Sequence, residues 1–218
     1  MHGCGGKKPF QTTWAEVARR AGAAVIVVDS LTPRRISQMG AYTSVCTGLR
    51  LPGRERAGDL FAAIAWARGQ SWADPSRIAA AGWSHGGWTI SDALSFCTPA
   101  EMARATGVAD LPEEPLAGLA ALFLVYPYLG PLALHGRPWR LAPRVTAILC
   151  GRDLIAGGAW PRRVLAQAAA RGAEVEIVPF ETATHAFDEP EAKFANFAYN
   201  EALVARGHRL YEAFARSL

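Results

Sequence analysis

With 218 residues, half of them hydrophobic, the chain is large enough to enclose a substantial core and falls in the size range of one globular domain. Its formal net charge of +4 rests on basic residues scattered along the sequence, as in Arg34-Arg35, Arg54 to Arg56 and Arg162-Arg163; this reads as a solvated surface, not a nucleic-acid patch. No apolar run is long enough to span a bilayer and no signal-peptide pattern opens the chain. None of the four cysteines forms a Cys-x-x-Cys pair, which argues against a zinc knuckle or a thioredoxin-like site and leaves reduced thiols in a cytoplasmic protein as the expectation.

The glycine-rich opening, Met1-His2-Gly3-Cys4-Gly5-Gly6, is of the kind that follows a buried strand, although none precedes it here. Thr12 or Thr13 is placed to cap a helix over Trp14 to Arg20, with Glu16 completing a capping box and Gly22 ending it. The β-branched run Ala23 to Val28 predicts a parallel strand buried on both faces. Asp29 to Arg56 is punctuated by proline and glycine and reads as an irregular pocket wall or lid, with Met39 and Tyr42 as its candidate substrate-facing side chains. A helix follows over Asp59 to Arg68, with Leu60, Phe61, Ile64 and Ala65 on one face.

Asp74-Pro75-Ser76 turns into a strand through Ile78 to Ala81, and Trp88 to Phe96 is compatible with a helix. Pro99 to Leu116 reads as a helical excursion, Leu119 to Tyr126 as a buried strand ended by Pro127, and Tyr128 to Pro143 as a loop. Val145 to Leu149 is a strand, Pro161 to Ala170 a helix closed by Gly172, and Glu174 to Phe180 an alternating strand. The tail from Asn200 to Leu218 is helical, with Leu203, Leu210, Phe214 and Leu218 near one face. Strands alternating with helices predict an α/β fold, a mostly parallel sheet flanked by helices, in one domain over residues 1–218.

Between the strand ending at Ala81 and the helix from Trp88 stands Gly82-Trp83-Ser84-His85-Gly86, a Gly-x-Ser-x-Gly in the strand–turn–helix setting of a nucleophile elbow. The small residues let strand and helix approach closely and leave the Ser84 hydroxyl clear of the sheet. A serine hydroxyl needs a base with a pKa near neutrality, and His185 is the candidate. The imidazole in turn needs a carboxylate on its other nitrogen, for which Asp153 is the candidate and Glu181 and Asp188 are the alternatives. Ser84, Asp153 and His185 all follow predicted strands, where active groups of open α/β sheets gather. The backbone N–H groups of His85 and Cys4, with Gly5 as second choice for the latter, are candidate oxyanion donors. His2 braces the glycine loop, and Cys150 is read as a buried apolar residue. Tyr42, Trp83 and Tyr128, with Trp88 and Trp160, suggest an aromatic substrate pocket, although core packing explains such residues equally well.

These motifs resemble the dienelactone hydrolase family of α/β-hydrolases over nearly the whole chain. The resemblance is carried by His2-Gly3-Cys4-Gly5-Gly6, Val27-Val28-Asp29-Ser30 with Pro33-Arg34, Val45-Cys46-Thr47-Gly48 and Asp74-Pro75-Ser76-Arg77-Ile78. Its most specific parts are Gly82-Trp83-Ser84-His85-Gly86-Gly87 and His185-Ala186-Phe187-Asp188. It implies a hydrolase of small-molecule esters or lactones, with nucleophile, acid and base at Ser84, Asp153 and His185, and with no metal and no organic cofactor. Two departures matter. Founding members use cysteine where this chain has Ser84, which favours ordinary ester hydrolysis over the narrow dienelactone substrate. The family fold also has a strand before His2, between the strands at Val25 to Val28 and Ile78 to Ala81; its lack here implies a shortened N-terminus and a gap in the sheet. Two alternatives stand beside the esterase: a prolyl-oligopeptidase-like peptidase, which a serine elbow of this form also resembles, and a non-catalytic binding protein on the same fold.

Overall fold

The computed structural model describes residues 1–192 and 196–218. Among these, four strands form one parallel sheet in the order β1 (Ile78–Trp83), β2 (Leu119–Val125), β3 (Arg144–Cys150) and β4 (Val175–Phe180). Alternating side chains serve opposite faces. Leu122 and Leu124 of β2 face a core with α3 (Gly53–Arg68), α4 (His85–Ser95) and α6 (Ala159–Ala169). Ala121, Phe123 and Val125 face a second core with α1 (Pro9–Arg20) and α7 (Glu201–Arg216). Covering both faces is what lets the central strands be apolar throughout. The short α2 (Gln38–Gly40) and the π-turn after it (Ala41–Val45) stand in the loop before α3, and α5 (Pro99–Thr106) packs on α3. No helix among the described residues is long and apolar enough to cross a membrane.

The predicted strand at Ala23 to Val28 is not one. The segment runs without a ladder partner, and Val25, Ile26 and Val27 are 38–43% exposed. An apolar cleft of about 470 Å³, lined by Val25, Val27, Leu60, Ile64, Ile78 and Ala80 among others, separates it from the outer edge of β1. The β-branched run carries strand propensity, but a strand exists only where a neighbour accepts its hydrogen bonds, and here the gap lies between them. At the upper end of that edge Met1 makes strand-like contacts: its amine donates to Ala81 O at 2.6 Å, and Trp83 N–H donates to Met1 O at 3.2 Å.

Helices α1, α3, α4 and α6 begin earlier than expected, α1 and α3 by a turn or more. Pro9 fits the first position of α1, where its missing N–H costs nothing, and Gln11 Oε1 accepts the Lys8 N–H at 2.6 Å. Glu16 pairs instead with Arg19. In α3 the inner face continues to Ala67, while Ala65 is exposed. The expectation of reduced thiols is also overturned at one pair: Cys4 and Cys46 form a disulfide, with Cα atoms 5.0 Å apart, that ties the glycine loop to the end of the π-turn. Proximity in the fold, across a sequence separation of 42, makes a pair that spacing alone could not indicate. Cys97 and Cys150 are free, and burial raises the Cys150 thiol.

Candidate active site

Ser84 follows β1 with φ 51° and ψ −113°, a left-handed conformation that is strained for a residue with a side chain. The strain is held from three sides. Its N–H donates to Val125 O at 3.0 Å, and its own carbonyl accepts from Tyr128 N–H at 3.0 Å and Trp88 N–H at 3.2 Å. The flanking glycines are required by close approach. A Cβ on Gly82 would lie 2.7 Å from Gly86 and from Ile90 Cδ1, and one on Gly86 would collide with the Met1 carbonyl.

The fold brings Ser84, His185 and Asp153 together across 101 and 32 residues of sequence. His185 Nε2 stands 2.9 Å from Ser84 Oγ, and its Nδ1 stands 2.7 Å from Asp153 Oδ2. The other Asp153 oxygen accepts the N–H groups of Ile155 and Ala156, both at 2.8 Å. Burial pushes the Asp153 carboxyl up, but the His185 hydrogen bond and these two backbone donors outweigh it and leave the group below its ordinary value. All three side chains are buried.

The sequence model of the prolyl oligopeptidase family matches residues 17–100. A dienelactone hydrolase-like promiscuous phosphotriesterase from metagenomic libraries is 20% identical, with a TM-score of 0.63 over 100% of this chain and 84% of that one. A protein described as a dienelactone hydrolase from Klebsiella pneumoniae is 16% identical, with a TM-score of 0.71 over 100% of this chain and 85% of that one. A thermophilic esterase of Thermogutta terrifontis, solved with butyrate bound, is 20% identical, with a TM-score of 0.55 over 77% of this chain and 67% of that one. The chain has the α/β-hydrolase fold. Among curated proteins, none matches the chain in sequence.

Within this fold, a cavity of about 340 Å³ opens over Ser84 and His185. Tyr42 and Tyr128 line it, as do Phe10, Trp88, Leu132, Ile155 and Phe197, with Cys4 and His85 beside Ser84. Trp83 reaches the cavity but its indole belongs to the core: it packs on Trp14, and its Nε1 donates to Asp188 at 3.1 Å. Met39 is 70% exposed and is not among the described residues lining the cavity; nor is Trp160, whose ring lies 4.3 Å from His135. Among the described residues no group of three or more His, Cys, Asp or Glu side chains is placed to hold a metal ion.

The alternative acids do other things. Glu181 is exposed. Asp188 is buried below His185, where its carboxylate accepts from Trp14 Nε1 at 3.0 Å, Trp83 Nε1 at 3.1 Å and the Tyr126 hydroxyl at 2.5 Å. Burial pushes it up to about 6, with these donors opposing.

One residue beside the site escaped the sequence reading, which counted it with the solvated surface: Arg56 is fully buried. The signal was available. Arg56 shares a helical face with Leu60, Ile64 and Ala67, all buried, so its position in α3 points inward. Its guanidinium lies behind the glycine loop and the elbow, within hydrogen-bonding reach of His2, Ser30 and His85.

Proposed function

We propose that this chain is a serine hydrolase of carboxylic esters or lactones. The observation that carries the reading is the His185 ring spanning Ser84 Oγ at 2.9 Å and Asp153 Oδ2 at 2.7 Å. Ser84 Oγ attacks the substrate carbonyl and gives its proton to His185 Nε2. Asp153 holds Nδ1–H, which fixes the tautomer and stabilises the imidazolium. The oxyanion of the tetrahedral intermediate is received by the N–H groups of Cys4 and His85, the latter at the positive end of α4. His185 protonates the departing alcohol, and a water activated by the same nitrogen then releases the acid from Ser84. The proposal invokes no cofactor.

The cavity size, about 340 Å³, and its aromatic walls at Tyr42, Trp88 and Tyr128 suit a small apolar acyl or alcohol group. Trp83 acts there by backing the elbow through Asp188. Two neighbours support the ester reading by what they act on or hold: one is a promiscuous phosphotriesterase and another binds butyrate. The Cys4–Cys46 bond speaks against the cytoplasmic location expected from the sequence, because such bonds persist in oxidising compartments.

The test is labelling by a fluorophosphonate, compared with Ser84→Ala, together with turnover of p-nitrophenyl esters. Labelling confined to wild type with ester turnover is expected; a wild type that neither labels nor turns over would refute the reading in favour of a binding protein. The prolyl oligopeptidase match favours a peptidase as the second reading. Faster cleavage of p-nitroanilide amides than of the matching esters would select it.

A further inference from the structure

Resting on the hydrolase reading above, we infer that Arg56 is a positioning residue that fixes the two oxyanion donors, Cys4 N–H and His85 N–H, relative to one another. It touches neither substrate nor Ser84; it acts through the elements that carry the donors.

The geometry makes the link directly. Arg56 Nη1 donates to the His2 carbonyl at 2.8 Å and to His85 Nδ1 at 3.1 Å, so one nitrogen bridges the glycine loop and the first residue of α4. Nε donates to Ser30 Oγ at 2.8 Å. Ser30 N–H in turn donates to His2 Nε2 at 3.1 Å, and His2 Nδ1–H donates to the Gly3 carbonyl at 2.6 Å. The Gly3 carbonyl belongs to the peptide whose nitrogen is that of Cys4. In a trans peptide the N–H points opposite to the C=O, so fixing the Gly3 carbonyl on His2 aims the Cys4 N–H away from His2. Gly3 lies beside the nucleophile, with its Cβ position 3.7 Å from Ser84 Cβ.

The charge state is consistent with this wiring. Burial and the Arg56 charge push His2 down to about 2 and His85 well below its ordinary value, so both rings stay neutral and keep a lone pair for their donors. Arg56 itself, lowered by burial to about 9, remains charged at neutral pH. The nearby carboxylate, Asp59, is engaged by Arg34 at 2.8 and 3.0 Å. A buried guanidinium whose contacts are a carbonyl, a hydroxyl and an imidazole gives up its hydration without a carboxylate in direct contact. Packing alone would be served as well by an apolar side chain of similar volume.

The experiment measures kcat and KM for a p-nitrophenyl ester, and the affinity of an aryl trifluoromethyl ketone that forms a hemiketal on serine. The variants are Arg56→Met, Arg56→Lys and Ser30→Ala. Loss of one oxyanion donor costs about 10²- to 10³-fold in kcat. Arg56→Met is expected to approach that range with KM changed by less than about threefold, and to weaken the ketone in parallel with kcat. Arg56→Lys, which keeps charge but not the fork, falls between. Ser30→Ala, a small change that leaves the guanidinium one anchor short, lowers kcat by about threefold to tenfold. Wild-type kcat in folded Arg56→Met, or a raised KM with kcat unchanged, would overturn the inference. If Arg56→Met does not fold, Ser30→Ala decides: wild-type kcat and ketone affinity there overturn it equally. A wild-type protein that fluorophosphonate does not label is a different failure, because it removes the hydrolase reading and this inference with it.

Discussion

Tyr126 donates its hydroxyl to Asp188 at 2.5 Å while its ring lies 4.7 Å from that of His185. The His185 loop is thereby seated on the end of β2. Because Trp14 and Trp83 donate to the same carboxylate, Asp188 collects three donors from three separate elements below the site. Asp188→Ala leaves all three unpaired in a buried setting, at about 1–3 kcal/mol for each orphaned group. A loss of at least about 3 kcal/mol in urea unfolding is expected, and a change below about 1 kcal/mol would contradict this role.

Asp153→Asn tests the acid position separately from the fold. The asparagine oxygen can keep the N–H groups of Ile155 and Ala156, but its NH₂ then faces His185 Nδ1. The ring must carry its proton on Nε2, where it can no longer take one from Ser84. A fall in kcat of about 10⁴-fold with little change in melting temperature is expected. Steady-state kinetics beside a thermal melt checks both halves.

The disulfide ties the loop bearing the proposed Cys4 donor to the wall bearing Tyr42. Closing a loop with a separation of 42 residues corresponds to about 4 kcal/mol of stability in the chain-entropy account. Cys46→Ser should therefore lower the melting temperature and also reduce kcat. Treating wild type with a dithiol should reproduce both losses, and treating the variant should add nothing. Intact mass after alkylation, with and without reductant, reports whether the bond is present.

Asp92, bonded to the cavity-wall residue Trp88, offers a pH test. Its carboxylate accepts from Trp88 Nε1 and Leu134 N–H, both at 2.7 Å, yet burial pushes it up to about 7. The folded protein then holds a proton that the unfolded chain releases near pH 3.8. Stability from this group is therefore lost as pH rises from about 4 to about 7, and is level above. Relative to Asp92→Asn, wild type should lose stability between pH 5 and pH 8 in paired urea titrations, at about pH 5 and about pH 8. An identical difference at both pH values would show that Asp92 does not hold that proton.

The elbow was readable because its causes are local. Gly82 and Gly86 flank Ser84 in the chain, and the crossing of β1 and α4 follows from residues a few positions apart. The core strands were readable because alternation and apolar runs report burial on one or both faces. Ala23 to Val28 misled for the complementary reason: β-branched residues favour an extended backbone, but they do not supply the neighbour that makes it a strand. The start of α1 was missed because Lys8, Pro9 and Gln11 form an unusual cap, while Thr13 and Glu16 offered a familiar one.

By itself, then, the sequence determined, Ala23 to Val28 apart, which backbone segments alternate as strand and helix, where the tight serine turn falls, and which residue types follow the strands. Tertiary structure alone decided that Asp153, and not Glu181 or Asp188, stands beside His185, that Cys4 meets Cys46, and that Arg56 meets His2 and His85. The division is physical. Turns, caps and periodicity arise from neighbours in the chain, whereas the partner of a charged or sulfur-bearing side chain is chosen by which distant segments the packed core brings within about 3 Å of it.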